Sequence, residues 1–164
     1  MTLTFPIEGF HAFIICEVHP LTMIGREDEY SQLPRFPLPV IIPDVIYRFA
    51  TGGQVADGNP TAAYAVLEWV RGNRDNVRID PTEAGLQYDI LLRNGAGEPS
   101  RGQADSGMIE SVDSFLAGST DRKAILVFDD PASRPNWIDN RLHFASLDDF
   151  LDIARGRYAN TAKR

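Results

Sequence analysis

The sequence predicts an α/β protein: a single-domain, three-layer α/β/α fold with a mainly parallel central sheet of about five strands. Three observations carry this expectation. Short apolar runs recur along the chain at residues 13–16, 40–42, 77–79, 124–128 and 142–144. Runs as compact as these, apolar almost throughout, suit strands buried on both faces of a parallel sheet. Stretches with helical spacing separate them, and a parallel pairing needs such a crossover to bring the chain back.

The runs differ in strength. Residues 124–128 (Ala-Ile-Leu-Val-Phe) are the clearest, Phe13-Ile14-Ile15-Cys16 comes next, and Val40-Ile41-Ile42 is halted by Pro43. Val77-Arg78-Ile79 is weaker because a cation interrupts it. Helix starts are marked by caps. Asn59-Pro60 pairs an N-cap with proline at the first helical position, ahead of Ala63, Val66, Leu67 and Val70. Asp80, Pro81 and Glu83 precede Leu86, Ile90 and Leu91 in the same manner. Ser100 with Gln103, and Ser146 with Asp149, have capping-box spacing. The segment 20–39 breaks this rhythm: it is rich in proline and carries Glu27, Asp28 and Glu29, so it reads as an irregular, mostly exposed connection.

Composition narrows the class. The 164 residues are 43% hydrophobic and 24% charged, enough apolar content for one domain with a real core and too much for a disordered chain. No apolar run is long enough to span a bilayer, and the N-terminal stretch lacks the basic and apolar regions of a signal peptide, so a cytoplasmic protein with no membrane association is expected. The lone cysteine, Cys16, excludes an intrachain disulfide and a cysteine-rich zinc site. A net charge of -7 argues against a protein that coats DNA through its phosphates, yet leaves room for an enzyme with an acidic, metal-binding centre.

Ligands of open α/β sheets bind beyond the carboxyl ends of the strands, so the residues after each run matter most. Glu17, Asp44, Asp80, and Asp129 with Asp130 occupy such positions. Acids gathered at one sheet edge repel unless a cation such as Mg²⁺ or Mn²⁺ lies among them. Asp80 is spaced as a helix cap. Asp105 precedes Ile109, Val112 and Leu116 at helical offsets, which predicts a carboxylate on the core-facing stripe of its helix. Glu110 is rotated away and reads as surface. His19 stands beside Glu17 without an evident second partner. Trp69 and Trp137 read as packing residues. Arg71, Arg74, Arg78, Arg93 and Arg101 read as solvated surface, with a phosphate path as the alternative. No dinucleotide or P-loop glycine pattern and no nucleophile elbow is present.

Several segments together resemble the PIN-domain nucleases, in particular their toxin members. Ile14-Ile15-Cys16-Glu17-Val18-His19-Pro20-Leu21 is similar to the family's opening strand, with Glu17 where the family has Asp and His19 where it has Asn. Residues 102–109 resemble the start of the acidic central helix, with Asp105 on its metal-binding acid. Residues 125–130 resemble the next strand and its terminal acid. Residues 77–92 and 142–154 match in element order, so the likeness spans most of the chain. Besides Glu17, the chain departs from the family where the Glu a turn into the helix after the second strand is replaced by Arg48 and Phe49, leaving Asp44 nearby, and in the connection 20–39, where the family has a regular helix.

The resemblance implies a Mg²⁺- or Mn²⁺-dependent ribonuclease in which Glu17, Asp105 and Asp130 are catalytic, and Glu17, Asp105, Asp129 and Asp130 hold the metal. It further implies single-stranded or structured RNA as substrate, a cognate antitoxin protein and a homodimer. These departures leave a second reading open, a catalytically degenerate domain of this kind serving as an interaction module for protein or nucleic acid.

Overall fold

The computed structural model describes residues 7–26, 36–52, 60–95, 101–129 and 139–154. Five strands, β1 (Ala12–Ile15), β2 (Val40–Pro43), β3 (Val77–Asp80), β4 (Ala124–Phe128) and β5 (Leu142–Ser146), form one sheet in the order β3-β2-β1-β4-β5, with every pairing parallel. Among the described residues six helices accompany them: α1 (Val18–Arg26), α2 (Asp44–Thr51), α3 (Pro60–Gly72), α4 (Glu83–Arg93), α5 (Arg101–Ala117) and α6 (Leu147–Ala154). The result is the single-domain, three-layer α/β/α architecture that alternation of runs and caps predicts.

Burial follows strand position. β1, β2 and β4 are buried at every residue, as interior strands covered on both faces must be. The edge strands β3 and β5 are only partly buried, and their exposed positions carry Arg78 and His143. The charge of Arg78 at its open edge opposes pairing with another chain. The cation that weakens the 77–79 run in sequence is thus the mark of an edge.

The two faces of the sheet are covered differently. Ala12, Ile14 and Ile41 share one face, and α5 packs across β1 and β2. On the opposite face Phe13 meets Phe150 of α6 edge-on at 6.0 Å, and Phe36 stacks on Phe150 at 4.8 Å while meeting Trp69 of α3 at 5.9 Å. Offset and edge-on pairs of this kind add about 0.5–1.5 kcal/mol each beyond burial of their area. Trp69 is a packing residue, as expected; Trp137 lies outside the described residues.

The connection expected to be irregular over 20–39 is shorter than that. Residues 20–26 are the body of α1, with Leu21 and Thr22 buried and the Thr22 hydroxyl donating to the Val18 carbonyl at 3.3 Å. Pro20 sits in the first turn, where the backbone N–H has no partner in the helix, so proline costs little there. At the other end Phe36 is buried in the aromatic cluster instead of exposed. Glu27, Asp28 and Glu29 lie outside the described residues.

Two helix starts can be compared directly with their sequence signals. Ser146 and Asp149 form a reciprocal capping box: the Asp149 N–H donates to the serine Oγ at 3.1 Å, and the Ser146 N–H donates to the Asp149 carboxylate at 3.2 Å. For α4 the cap is Thr82, whose Oγ1 accepts the Gly85 N–H at 2.9 Å, and Asp80 is the last residue of β3. The stripe expected on α4 also faces outward, with Leu86 and Ile90 exposed and Ala84 and Gly85 buried.

Candidate functional site

The sheet order reverses direction at β1. From there the chain lays β2 and β3 on one side and β4 and β5 on the other. In open α/β sheets such a reversal marks the crevice where ligands bind, here beyond the carboxyl ends of β1 and β4.

Glu17 and Asp129 meet at this crevice. The pairing of Ile15 with Val127 ends the ladder, and its register continues one step beyond. The Cys16 N–H donates to the Val127 carbonyl at 3.0 Å, and the Asp129 N–H donates to Oε1 of Glu17 at 3.2 Å. His19, in the first turn of α1, places Nε2 3.9 Å from Oδ1 of Asp129, with both side chains more than a third exposed at 38% and 39%. His19 therefore has the partner that its sequence neighbourhood did not reveal, because that partner is brought by β4 and not by α1.

Cys16 lies at the same rim but takes no part in its chemistry. It is buried, and burial pushes the thiol well above its ordinary value, with the charge of Glu17 adding to the effect. A neutral, enclosed thiol is neither a nucleophile nor a metal ligand.

Asp105 does not sit on the buried stripe of α5. It is exposed, and Ile109, one turn on, is 40% exposed. The face that packs is Ala104, Gly107, Met108, Ser111, Val112 and Phe115. Small residues mark it because neighbouring helices come close: a Cβ at Gly107 would lie 3.2 Å from the Val45 side chain of α2. Of the stripe drawn from Asp105 through Ile109, Val112 and Leu116, Val112 is buried and Leu116 half-buried, so the packed face is rotated toward Ala104, Met108 and Ser111 and leaves Asp105 and Ile109 outside it. Asp130 lies outside the described residues.

A second polar cluster lies at the ends of β2 and β3, and all of it is used on backbone and caps. Asp44 accepts from the Thr82 N–H at 3.1 Å, from the Thr82 hydroxyl at 2.6 Å and from the Val45 N–H at 2.9 Å. Glu110, expected at the surface, is half-buried and accepts the Ala84 N–H at 3.0 Å. Both acids thereby hold the N-terminal turn of α4, whose unpaired N–H groups and positive dipole end favour carboxylates. Arg48 is ion-paired with Asp89 and lies 6.0 Å from the Tyr88 ring centre, so it serves the contact between α2 and α4.

Among the described residues no group of three or more His, Cys, Asp and Glu is gathered so as to hold a metal ion. Glu17 and Asp129 are acids at this rim, joined through the Asp129 backbone N–H. A hydrated Mg²⁺ ion would ask no more of the protein than one or two carboxylates, because it keeps several waters. No helix among the described residues is long and apolar enough to cross a membrane. No protein-family model, curated protein or solved structure matches the chain.

Proposed function

We propose that the protein is a metal-dependent ribonuclease of the PIN-like toxin type, acting at the crevice between β1 and β4. The observation that carries this reading is the contact between Glu17 and Asp129 across the reversal of strand order. The order of elements and the motifs around Glu17, Asp105 and residues 125–130 support it.

On this reading Glu17 and Asp129 present carboxylate oxygens to a hydrated Mg²⁺ or Mn²⁺ ion, and His19 stands beside the Asp129 carboxylate. The cation would supply charge for the scissile phosphate and lower the pKa of an attacking water. Asp105 and Asp130 join the proposed set through the motifs that contain them. Single-stranded or structured RNA is the substrate, a cognate antitoxin covers the crevice, the chain pairs as a homodimer and the protein works in the cytoplasm.

The test is cleavage of single-stranded RNA by the purified chain with Mg²⁺ or Mn²⁺ and with chelator. Cleavage that requires the metal and falls at least about 100-fold in Glu17→Gln and Asp129→Asn supports the reading, on the scale of losing one preorganised electrostatic contact. Asp105→Asn and Asp130→Asn, assayed alongside, decide whether those two acids belong to the set. Equal RNA degradation by the parent and Glu17→Gln overturns it.

A second reading rests on Arg48. A cation engaged in a contact between helices stands where the resemblance calls for an acid, which favours a degenerate domain that serves as an interaction module. That reading requires no RNA cleavage and no Mn²⁺ binding beyond that of an ordinary acidic surface.

A further inference from the structure

The amino ends of the strands, at the opposite rim of the sheet, carry a basic cavity. It has a volume of about 420 Å³, and its lining includes His11, Arg74, Arg78, Phe115 and Arg122. These residues come from separate parts of the chain. Arg74 lies in the turn between α3 and β3, Arg78 on the edge strand, Phe115 in the last turns of α5, and His11 and Arg122 just before β1 and β4. Their convergence is therefore a product of the fold, invisible in a sequence where the arginines look scattered.

Charge makes the cavity unusual in this molecule. The chain carries 23 Asp and Glu against 16 Lys and Arg, yet three arginines line one cavity with Asp75 as its acid. Cations grouped in a cleft focus a positive potential that raises the local concentration of anions. Arg122 is fixed in place: its guanidinium stands 5.2 Å from the Phe115 ring centre and donates to the Phe115 carbonyl at 3.3 Å. Arg78 reaches Asp80 only at 3.9 Å and its side chain is 65% exposed, so its donors are open to an incoming anion. Arg74 is also exposed. His11 accepts the Lys123 N–H on Nδ1 at 3.1 Å, which leaves the ring proton on Nε2 as a donor.

Beside Phe115 the lining carries Ile41, which pairs with Arg78 on this face of the sheet, together with Ala12, Pro39 and the polar Asn76. Guanidinium groups match phosphate oxygens in a bidentate way, while an apolar floor favours a ring or a carbon skeleton. The volume falls in the range of small-molecule sites and exceeds the needs of a bare phosphate ion. We propose that this cavity binds a small phosphate ester of nucleotide size, with its phosphate on Arg74 and Arg78 and its organic body over Ile41 and Phe115.

The test is isothermal titration calorimetry of the full chain, with chelator present so that the crevice at the other rim takes no part. The probes are ADP, the four nucleoside monophosphates and ribose 5-phosphate, with inorganic phosphate and adenosine as partial ligands. At least one phosphate ester is expected to bind saturably and about tenfold more tightly than phosphate or adenosine alone. Arg74→Gln with Arg78→Gln is expected to weaken it by at least about tenfold, the scale of one lost charged hydrogen bond. The exposed Arg93→Gln, with Arg71→Gln to match the charge removed, is expected to bind like the parent. The inference is overturned by absence of binding by every ester, by adenosine or phosphate binding as tightly as the best ester, or by unchanged affinity in the Arg74 and Arg78 variant while its melting temperature matches the parent's.

Discussion

The carboxylate of Asp44 occupies the space that a side chain at Gly85 would take. This acid at the end of β2 is drawn over the first turn of α4 by Thr82, and only glycine leaves room for it. Gly85→Ala must displace Asp44 and break its bonds to Thr82. The expected cost is about 2–4 kcal/mol, combining overpacking with loss of hydrogen bonds to a charged group. In an Asp44→Ala background the obstacle is gone, and alanine is about 1 kcal/mol better than glycine inside a helix. The second substitution is then expected to cost far less. Urea unfolding of the four proteins measures the coupling, and additive costs would refute the close approach.

Asp105→Asn is expected to change stability by no more than about 0.5 kcal/mol, because Asp105 is exposed and α5 packs through its other face. A buried carboxylate among like charges would instead gain stability on losing its charge. Thermal unfolding without metal separates the two, and a clear rise in melting temperature would place Asp105 among other acids.

What the sequence discloses follows from which forces are local. The interior strands are legible because residues 124–128 and 13–16 have no polar interruption, and the start of α6 is legible because Ser146 and Asp149 satisfy each other within four residues. The α4 cap is shifted because Thr82 is selected by Asp44, thirty-eight positions away, and not by its own neighbours. The packed face of α5 is hidden because Ala104, Gly107 and Ser111 are chosen for close approach and not for hydrophobicity. At the site, the acids at the strand ends are visible in sequence, but the meeting of Glu17 with Asp129 depends on the strand order.

His143 gives the fold a pH dependence of known sign. Its ring packs edge-on against Phe10 at 5.9 Å, and burial holds the imidazole below its ordinary 6.5, with the charge of Asp149 opposing the shift. The folded protein thus favours the neutral ring. As pH falls below 6.5 the unfolded chain takes up a proton that the folded chain does not, and stability declines until the folded value is passed. The parent is expected to lose more stability than His143→Gln between about pH 7.5 and about pH 5.5, read from urea midpoints. An identical loss in both proteins would remove His143 as the cause.

Glu17 has two separable jobs, and two substitutions distinguish them. Its Oε1 accepts the Asp129 N–H, which ties the ends of β1 and β4 together. On the proposed reading its negative charge also holds a cation beside Asp129. Glu17→Gln keeps a carbonyl oxygen for the N–H and removes the charge, so the metal-free variant is expected to be as stable as the parent or slightly more so. Glu17→Ala also loses the acceptor and is expected to cost about 1 kcal/mol, the ordinary net worth of one hydrogen bond. If the charge holds a cation, the rise in melting temperature that Mn²⁺ gives the parent disappears in both variants, since stabilisation by a ligand requires binding to the folded state. Thermal unfolding with and without Mn²⁺ reads both effects together. A Glu17→Gln protein that keeps the full Mn²⁺ response would reduce Glu17 to a brace between two strands and move any metal away from this rim.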